Sequence, residues 1–397
     1  MLFARFLKPL MKRGTLVIID HAGRRHDVGT GSDPKVTVTF HDPNLGTKLF
    51  LNPALYAGEG YMDGTLTVED GDLFDMLDLV MSNIRATHGH WAARTLKSIE
   101  RFGGLLRTYN PISRAANNVA HHYDLSSTLY ERFLDEDMQY SMAYYRSPND
   151  TLEQAQRNKV DHIATKLCLE PGMSVLDVGC GWGGLGLALH QRHGVNVTGI
   201  SLSEEQLKVA NRRAEEADAG DAVKFLYKDY REVEGTFDRI VSVGMFEHVG
   251  LPMYRTFFKT MRELLVDDGV ALLHTIGRAD GPRASDSWTL KYIFPGGYAP
   301  ALSEIVPHVE KAGFYITDVE TLRLHYAYTL REWRRRFMDH RDEMEKIYDA
   351  RFCRMWEFFL ASAESSFHHA YHVNFHIQMS PELETVPLTR DYMYAGT

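Results

Sequence analysis

Between residues 175 and 184 the chain passes from a short apolar strand into a turn that contains four glycines. The run reads VLDVGCGWGG, so an acid, Asp177, stands near the end of the strand, and apolar residues at helical spacing follow from Leu185. Glycines without a Cβ let a bulky ligand approach the backbone, and the N–H groups of the next helix face it. This strand–turn–helix predicts the first unit of a doubly wound, nucleotide-type α/β fold.

The same turn bears on which nucleotide is bound. Gly179, Gly181 and Gly184 also satisfy G-x-G-x-x-G, which permits NAD. A dinucleotide-binding domain places an acid at the end of its second strand to hold the ribose, but here that strand ends in Ser201 and the acid is Asp177 on the first strand. An acid followed by G-x-G-x-G resembles motif I of S-adenosylmethionine (SAM) methyltransferases. We therefore expect SAM rather than NAD.

Composition excludes several classes of protein. The 397 residues leave room for two domains, and the net charge of -9 argues against a nucleic-acid binder. The three cysteines form no C-x-x-C pair, which gives no zinc signature and fits a reducing compartment. The sequence contains no run of about 18 apolar residues, so it predicts no membrane span. The N-terminal segment lacks an apolar core with a cleavage site, so it predicts no secretory signal.

The first part of the chain, residues 1–112, is expected to form a small α+β domain. Residues 15–19 and 36–40 look like strands, residues 58–64 like a glycine-rich loop, and residues 72–84 like a helix with one apolar face. Lysine and arginine outnumber acids in residues 1–25, beside apolar residues at helical spacing. Such a segment can lie on an anionic lipid surface or dock on its own domain.

Residues 113–397 are expected to form the catalytic domain. A capping box at Thr151–Gln154 opens a helix, after which apolar strands and helices alternate. The expected strands are 174–178, 195–200, 222–226, 239–243 and 270–274. Ligands of such sheets bind at the carboxyl ends of the strands. The distinctive polar runs stand at those ends: 179–184, 201–206, 244–250 and 274–277.

Several of these runs, taken together, resemble one enzyme family. They are AHHYDL at 120–125, MQYSMAYY at 138–145, VGMFEHVG at 243–250, LLHTIG at 272–277 and KYIFPGG at 291–297. With the Asp177–Gly184 turn they closely resemble the bacterial cyclopropane-fatty-acyl-phospholipid synthases, and the mycolic acid cyclopropane synthases share most of them. The resemblance is dense from about residue 110 onward and looser before it, where GEGYMDG at 58–64 matches the phospholipid-acting branch.

The resemblance implies a reaction and a base. The π bond of a cis-unsaturated acyl chain attacks the SAM methyl group, a cation forms, a proton leaves the new methyl, and a cyclopropane closes. In that family the base is bound bicarbonate. The matching residues here are Glu247, which would accept the bicarbonate O–H, His274 and Tyr326, which would donate to its oxygens, and Ile276, which would offer its backbone N–H. Tyr328 is a rival for Tyr326.

One residue departs from the family pattern. The family usually has Tyr-Ser-Cys where this chain has Tyr140-Ser141-Met142. Methionine keeps the backbone N–H but not the thiol, so a methyl-branched or methylene product stays an alternative. For SAM, the resemblance and the strand-end positions indicate Tyr140, Ser141, Asp177, Gly179, Gly181, Ser201, Gln206, Asp229 and Tyr230. Gln206 has a second explanation, because Ser203-Glu-Glu-Gln206 is itself a capping box.

Two clusters receive a plainer interpretation. His368, His372 and His376 are spaced four apart, but the alternation of apolar and polar residues from His372 to Met379 favours a strand over a metal site. We therefore expect no metal. The run Arg334–Arg336 is expected to be a solvated helix face rather than a phosphate site.

The sequence thus predicts a SAM-dependent cyclopropane synthase that acts on unsaturated phospholipid at the cytoplasmic surface of the inner membrane. The N-terminal domain is expected to help lipid docking, and a homodimer is left open. A non-catalytic lipid-binding protein is the alternative from another class, although Glu247 and His274 argue against it.

Overall fold

The computed structural model describes residues 1–85 and 125–394. The strands are β1 Thr15–Ile19, β2 Arg25–Gly29, β3 Lys35–Phe40, β4 Leu66–Asp70, β5 Ser174–Val178, β6 Asn196–Ser201, β7 Val223–Tyr227, β8 Phe237–Val243, β9 Leu265–Arg278, β10 Tyr315–Leu322 and β11 His372–Ser380. The helices are α1 Leu2–Leu7, α2 Leu45–Leu51, α3 Pro53–Met62, α4 Leu73–Arg85, α5 Ser127–Phe133, α6 Leu152–Lys166, α7 Gly184–His193, α8 Glu204–Glu216, α9 Tyr254–Leu264, α10 Ser287–Tyr292, α11 Leu302–Lys311, α12 His325–Asp339, α13 Arg341–Ile347 and α14 Ala350–His369.

The described residues fall into two compact units. The first comprises 1–85, 285–295 and 327–372, and the second comprises 125–284, 296–326 and 373–394. The domain boundary expected at residue 112 lies outside the described residues. The first unit also includes residues 285–295 and 327–372, which the sequence analysis assigned to the catalytic domain.

The first unit is built around a four-stranded sheet in the order β2-β1-β3-β4. β1 pairs in parallel with β3, whereas β2 and β4 are antiparallel edge strands. The strands predicted at 15–19 and 36–40 and the helix predicted at 72–84 are confirmed as β1, β3 and α4. Arg334 in α12 forms ion pairs with Glu364 and Asp72 at 3.0 and 3.6 Å, so it is held within this unit rather than freely solvated.

The glycine-rich loop predicted at 58–64 is wrong, because most of that run lies in α3. Asn52 caps this helix by accepting a hydrogen bond from the Leu55 N–H, and Pro53 occupies its first turn, where the missing N–H costs nothing. Gly58 packs against the indole ring of Trp288, and a Cβ at this position would collide with that ring. The glycine therefore serves close packing inside a helix, not a turn.

The apolar residues of α1 mostly face inward within the first unit. Phe3 and Leu7 are buried, whereas Phe6 keeps 45% of its surface exposed and lies edge-on to the exposed Phe50 ring at 5.4 Å. Docking of the helix on its own unit therefore accounts for part of the predicted apolar stripe. Among the helices in the described ranges, none has both the length and the apolarity required to cross a membrane.

The second unit contains a seven-stranded sheet in the order β10-β11-β9-β8-β5-β6-β7. β7, β6, β5, β8 and β9 run parallel, whereas β10 and β11 form an antiparallel pair. The five predicted parallel strands are confirmed to within a few residues at their ends, and β9 is longer than expected. The order reverses beside β5, which makes the ends of β5 and β8 the expected ligand site. The doubly wound α/β fold is confirmed.

Both faces of this sheet are covered by apolar residues. Along β5, Leu176 and Val178 belong to one core cluster and Val175 belongs to the other, as alternation along a strand requires. The strand predicted from His372 onward is confirmed as β11, but its polar face is buried too: Asn374, His376 and Gln378 are almost fully inaccessible. Buried polar side chains need partners: Asn374 and His376 contact the His274 ring, and Gln378 donates to the Lys166 carbonyl and the Tyr392 hydroxyl.

Candidate active site

A cavity opens at the carboxyl ends of β5, β6 and β8 in the second unit. Every residue that the sequence assigned to SAM lines it: Tyr140, Ser141, Asp177, Gly179, Gly181, Ser201, Gln206, Asp229 and Tyr230. Residues not singled out from the sequence line it as well: Trp182, Lys228, Arg231, Met245 and His248. The strand topology brings these separate segments together, as the positions of the polar runs predicted.

The first position of the glycine turn, Gly179, requires a residue without a side chain. Gly179 has a φ of +91°, and a Cβ there would lie 2.6 Å from the Cβ of Met245. Any other residue would be strained and would push on the opposite wall of the cavity. The N–H groups of Gly179 and Cys180 both donate to the Ile200 carbonyl, at 3.0 and 2.9 Å, which fixes the turn against β6.

Asp177 is a buried acid without a hydrogen-bond partner on either carboxyl oxygen. Burial raises the pKa of this carboxyl to about 7, although the charge of Lys159 acts in the opposite direction. Lys159 is itself buried and donates to Gln139 Oε1 and Ser141 Oγ, both at 2.8 Å. Because Asp177 also lines the cavity, it is placed to interact with a positively charged ligand.

The segments expected to hold the nucleoside are already hydrogen-bonded within the protein. Ser201 Oγ donates to Gln206 Oε1 at 3.1 Å, and the Gln206 N–H donates to Ser203 Oγ at 3.3 Å. Gln206 thus both follows a helix cap and presents its side chain at the cavity wall. Asp229 is paired with Arg231 at 2.7 Å, so its carboxylate orders the loop beside the cavity.

Arg231 also lies over the Tyr230 ring, 5.1 Å from its centroid. No sequence pattern pointed to Arg231. The turn after β7 places Arg231 in contact with Asp229 and with the face of the Tyr230 ring.

Glu247 lies in a short 3-10 helix, Phe246–His248, after β8. Its Oε1 accepts a hydrogen bond from the Ile276 N–H at 2.5 Å, whereas its buried Oε2 has no hydrogen-bond partner. Burial raises the pKa of Glu247 to about 7, against the opposing effect of the Ile276 N–H. Met245 and His248, on either side of it, line the cavity. Glu247 and Ile276, which were each expected to contact bicarbonate, are therefore in direct contact with each other beside the cavity.

His274 stands near the end of β9, and the Gly244 N–H donates to its carbonyl at 3.0 Å, which joins the ends of β8 and β9. Both of its ring nitrogens have protein partners. Nε2 lies 3.1 Å from Asn374 Nδ2, and Nδ1 lies 2.9 Å from His376 Nε2. Burial lowers the pKa of His274 to about 3, so the ring is neutral. The polar face of β11 thus holds the His274 ring.

Tyr326 and Met142 belong to two segments of the second unit that are tied to each other. Tyr326 follows His325 in α12, and His325 Nδ1 accepts a hydrogen bond from the Tyr145 N–H at 3.0 Å. The His325 ring also stacks on Tyr144 at 4.9 Å. Met142, in the same segment as these tyrosines, is completely buried.

The five predicted catalytic residues, Glu247, His274, Tyr326, Ile276 and Met142, are not among the residues that line the cavity. Met142 directly follows the lining residue Ser141, and Glu247 directly precedes the lining residue His248. Lys159 was missed because α6 buries Asn158, Lys159, His162 and Lys166 together. A helix with buried charges gives no apolar stripe from which that face could have been predicted.

Comparison with known proteins identifies the family. The family model described as mycolic acid cyclopropane synthetase matches residues 111–377. The chain is 38% identical over 340 residues to the cyclopropane-fatty-acyl-phospholipid synthase of Escherichia coli K12, covering 85% of each chain. It is 34% identical over 385 residues to a probable fatty acid methyltransferase of Pseudomonas putida, covering 94% of each. A tuberculostearic acid methyltransferase of Mycobacterium tuberculosis is 33% identical over 86% of this chain and 82% of its own.

Solved structures agree. The cyclopropane synthase MmaA2 of M. tuberculosis matches with a TM-score of 0.64 and 31% identity, over 68% of this chain and 98% of its own. The mycolic acid cyclopropane synthase CmaA1, in complex with SAH and CTAB, matches with the same TM-score and identity over 68% of this chain and 99% of its own. The protein is thus a SAM-dependent methyltransferase, and the non-catalytic alternative is disfavoured. The chain belongs to the family of the cyclopropane-fatty-acyl-phospholipid synthases, to which the mycolic acid cyclopropane synthases are related.

Proposed function

We propose that this enzyme transfers a methylene unit from SAM to the cis double bond of phospholipid acyl chains and forms cyclopropane fatty acids. The observation that carries the proposal is Glu247: a buried carboxyl oxygen without a hydrogen-bond partner, beside the cavity that the SAM residues line. Burying such a group without a hydrogen-bond partner costs free energy, and a functional task would account for its presence. A methyl group that must lose a proton after transfer provides that task.

The chemistry sets three demands on the site. The alkene π electrons form a bond to the SAM methyl carbon as its bond to sulfur breaks, which leaves a carbocation on the acyl chain. A base then removes one proton from the new methyl, and the electrons of that C–H bond close the ring. The site must bind the sulfonium, tolerate the cation and hold a base. Asp177 and the Tyr140 ring at the cavity wall suit the positive charge of SAM.

Bicarbonate as the base belongs to the proposal. The unpartnered Oε2 of Glu247 suits a ligand that shares a proton with it. Glu247, His274, Tyr326 and the Ile276 N–H would hold the anion, and bound bicarbonate would supply a base at the new methyl group. The Ile276 N–H already donates to Glu247, so the anion must share or replace that bond. Glu247 would set the orientation of the anion.

Lipid profiling tests the proposal. The chain is expressed in a host without cyclopropane lipids, and the fatty acids are analysed by gas chromatography with mass spectrometry. We expect acyl chains heavier by one CH₂ that co-elute with a ring-containing standard and resist mild hydrogenation. The Glu247→Gln variant, expressed at the same level, is the control for activity of the host. Lipids identical in both strains would refute the proposed function.

A second candidate is a methyl-branched or methylene product. The observation that favours it is Met142, which is fully buried where the family usually has cysteine. Two relatives are also named as fatty acid methyltransferases, one of them for tuberculostearic acid. A saturated branched product would require a separate hydride donor, such as a reduced nicotinamide, to reduce the cation. A methylene product would form by loss of a proton from the cation and would be lost on mild hydrogenation. Met142→Cys would then be the first variant to examine for recovery of the ring.

We further propose that the enzyme works as a peripheral protein on the cytoplasmic face of the inner membrane. Within the first unit, Phe6, Phe50 and Leu51 are exposed apolar residues, and Phe6 contacts Phe50. Arg5 in α1 and Lys8, directly after the helix, are also exposed. An apolar patch with a basic rim suits an anionic lipid surface. We refer to Phe6, Phe50 and Leu51 as the apolar patch.

A further inference from the structure

Lys159 on α6 is a buried lysine next to the wall of the cavity, in the second unit. Its side chain is completely inaccessible to solvent. Its ammonium donates to Gln139 Oε1 and to Ser141 Oγ, both at 2.8 Å, and both of these residues line the cavity. The lysine itself does not line it, so its hydrogen bonds reach a ligand only through these two side chains.

The backbone of the same wall segment is also held by α6. Gln156 donates from Nε2 to the carbonyls of Gln139 and Ser141, at 3.2 and 3.0 Å. The Tyr144 N–H donates to the Ala155 carbonyl at 2.9 Å. The wall segment is thus fixed on one helix before any ligand binds, and a preorganised wall loses little conformational freedom on binding.

Lys159 determines which atoms of its two partners face away from it. An ammonium has three donors and no acceptor, so the Gln139 atom that faces it must be the amide oxygen. The amide nitrogen, Nε2, is buried without a hydrogen-bond partner among the described residues. It lies beside the cavity residue Gly184, where a Cβ would be 2.9 Å from it. The ammonium likewise takes a lone pair of Ser141 Oγ and leaves the hydroxyl proton for another acceptor. Both side chains, which can donate or accept, are thereby made donors.

The charges around Lys159 indicate the kind of ligand that these donors suit. Burial lowers the pKa of Lys159 to about 8, while the charges of Asp135, Asp137 and Asp177 act in the opposite direction, so the ammonium persists at neutral pH. Asp177 lines the cavity with both carboxyl oxygens unpartnered, which suits a cationic group. A carboxylate together with donors backed by an ammonium matches the two opposite charges of an amino acid. SAM carries such a group, with an ammonium and a carboxylate on one carbon.

We propose that Lys159 is a positioning residue for SAM, which makes Ser141 and, beside it, Gln139 into hydrogen-bond donors to the carboxylate of the SAM amino acid. The inference adds to the SAM dependence of the family which part of SAM this wall binds and which buried residue prepares the wall. It rests on the part of the proposed function in which SAM occupies this cavity, and not on the identity of the lipid product.

The binding of two thioethers tests the proposal without turnover. S-adenosylhomocysteine keeps the amino acid, whereas 5′-methylthioadenosine has the same adenosine and sulfur but no amino acid. Lys159→Met removes the ammonium and keeps an unbranched chain. We expect its affinity for S-adenosylhomocysteine, measured by calorimetry, to fall about 10-fold, as for the loss of one charge-assisted hydrogen bond. Its affinity for 5′-methylthioadenosine should stay within about twofold.

A double variant tests whether the lysine acts through the serine. Ser141→Ala alone should weaken the binding of S-adenosylhomocysteine about 10-fold. In Lys159→Met combined with Ser141→Ala, the loss should stay well below the product of the two single losses, because both changes remove the same interaction. Losses that multiply in full would mean that the lysine acts by another route, and the proposal would be wrong.

Lys166→Met is the matched control. Lys166 is a second buried lysine on α6, but its ammonium donates to Asp318 and Glu320, and neither of these lines the cavity. The control should lower the free energy of unfolding and leave both affinities unchanged. An equal loss of S-adenosylhomocysteine binding in the two lysine variants would show a general effect of removing a buried charge and would overturn the proposal.

The test does not depend on whether Lys159→Met folds. Gln139→Met removes the other partner of the lysine, and it should weaken the binding of S-adenosylhomocysteine but not that of 5′-methylthioadenosine. If neither this variant nor Ser141→Ala distinguishes the two ligands, the proposal is refuted. Failure of the proposed function looks different: the calorimetric results would be as expected, while the expressing strain made no cyclopropane lipid.

Discussion

Two buried carboxyl groups, Asp177 and Glu247, have oxygens without a hydrogen-bond partner. A buried acid without partners destabilises the fold, at about 1–3 kcal/mol for each unsatisfied polar group. Both acids stand at the carboxyl ends of adjacent strands of the same sheet or in the turn that follows. We infer that the fold tolerates them because ligands satisfy them, a cation at Asp177 and a proton-sharing anion at Glu247.

The first prediction concerns Glu247→Gln. The amide cannot accept a proton from the base, so turnover should fall about 100-fold, while SAM affinity measured by calorimetry should stay within about twofold, since Glu247 does not line the cavity. In the proposed mechanism the carboxylate is the active form, and burial raises the pKa of Glu247 to about 7. The rate should therefore fall as the pH drops below 7 and level off above it.

The pH profile supplies the internal control for this prediction. The residual activity of Glu247→Gln should lack the limb set by the Glu247 carboxyl near pH 7, and any limb that remains should follow the protonation of bicarbonate itself at lower pH. A variant that keeps full turnover, or one that keeps the same acidic limb, would rule out the proposed role of Glu247.

The second prediction concerns Asp177→Asn. Loss of a charge-assisted interaction with SAM should weaken binding by about 10- to 100-fold, which corresponds to about 1.5–3 kcal/mol. Lys159 keeps Asp135 as a counter-charge, so the variant should fold. Isothermal titration with SAM measures the change, and unaltered affinity would contradict the assignment of Asp177 to the cofactor.

The unliganded protein gives a second readout for Asp177. Its pKa rises from 3.8 to about 7 on folding, so the folded state holds this proton more tightly than the unfolded chain. That contribution to stability is fully present below pH 4 and is lost as the pH rises through 7. Asparagine does not titrate, so Asp177→Asn should lose less of its free energy of unfolding between pH 4 and pH 8 than the wild type does.

At the residue scale, the sequence analysis identified residues at strand ends but missed contacts between residues far apart in the chain. Gly179, Ser201 and Tyr230 were found because each follows a strand in the doubly wound pattern, and strand ends converge whatever the side chains. His376 was assigned correctly to a strand but given no partner. Its contact with His274 spans 102 residues, and a strand inserted between β10 and β9 cannot be predicted from alternation alone.

At the scale of elements, α3 shows how packing decides the meaning of glycine. Gly-x-Gly followed by Asp-Gly indicates a loop by composition, yet Asn52 and Pro53 start a helix that runs through it. The deciding contact is the indole of Trp288 against Gly58, 230 positions away in sequence. Local patterns contain no trace of such a neighbour.

The third prediction follows from that contact. In an open helix, Gly→Ala stabilises by about 1 kcal/mol, but at Gly58 the added methyl must displace a buried tryptophan, and overpacking costs about 1–3 kcal/mol. Gly58→Ala should therefore be destabilising by up to about 2 kcal/mol in thermal or urea unfolding. Gly60→Ala in the same helix is the comparison: its Cβ would meet Leu45 and Leu66 atoms at 3.2 and 3.3 Å. It should be less destabilising, and the reverse order would show that Trp288 does not set the constraint.

For the molecule as a whole, the candidate active site and the proposed lipid-contact surface belong to different units. The second unit contains the cavity and the candidate base residues, and the first presents the apolar patch. Removing residues 1–13 would be a poor test of docking, because Phe3, Leu7 and Met11 are part of the core of the first unit. Point changes at the exposed positions avoid that damage.

The last prediction is therefore made for Phe6→Ser combined with Leu51→Ser. These side chains are 45% and 73% exposed, so serine removes apolar area without opening a cavity in the core. If each contributes about 1 kcal/mol on burial in the lipid interface, binding should weaken about 10- to 30-fold. Sedimentation with vesicles rich in phosphatidylglycerol measures the loss, and SAM affinity should stay unchanged.

Leu388→Ser is the matched control, because Leu388 is 102% exposed and lies in the second unit. Wild-type binding should also fall with added salt, since Arg5 and Lys8 border the patch. If vesicle binding weakens equally in Leu388→Ser and in the double variant, or weakens in neither, the apolar patch is not the surface that binds the membrane.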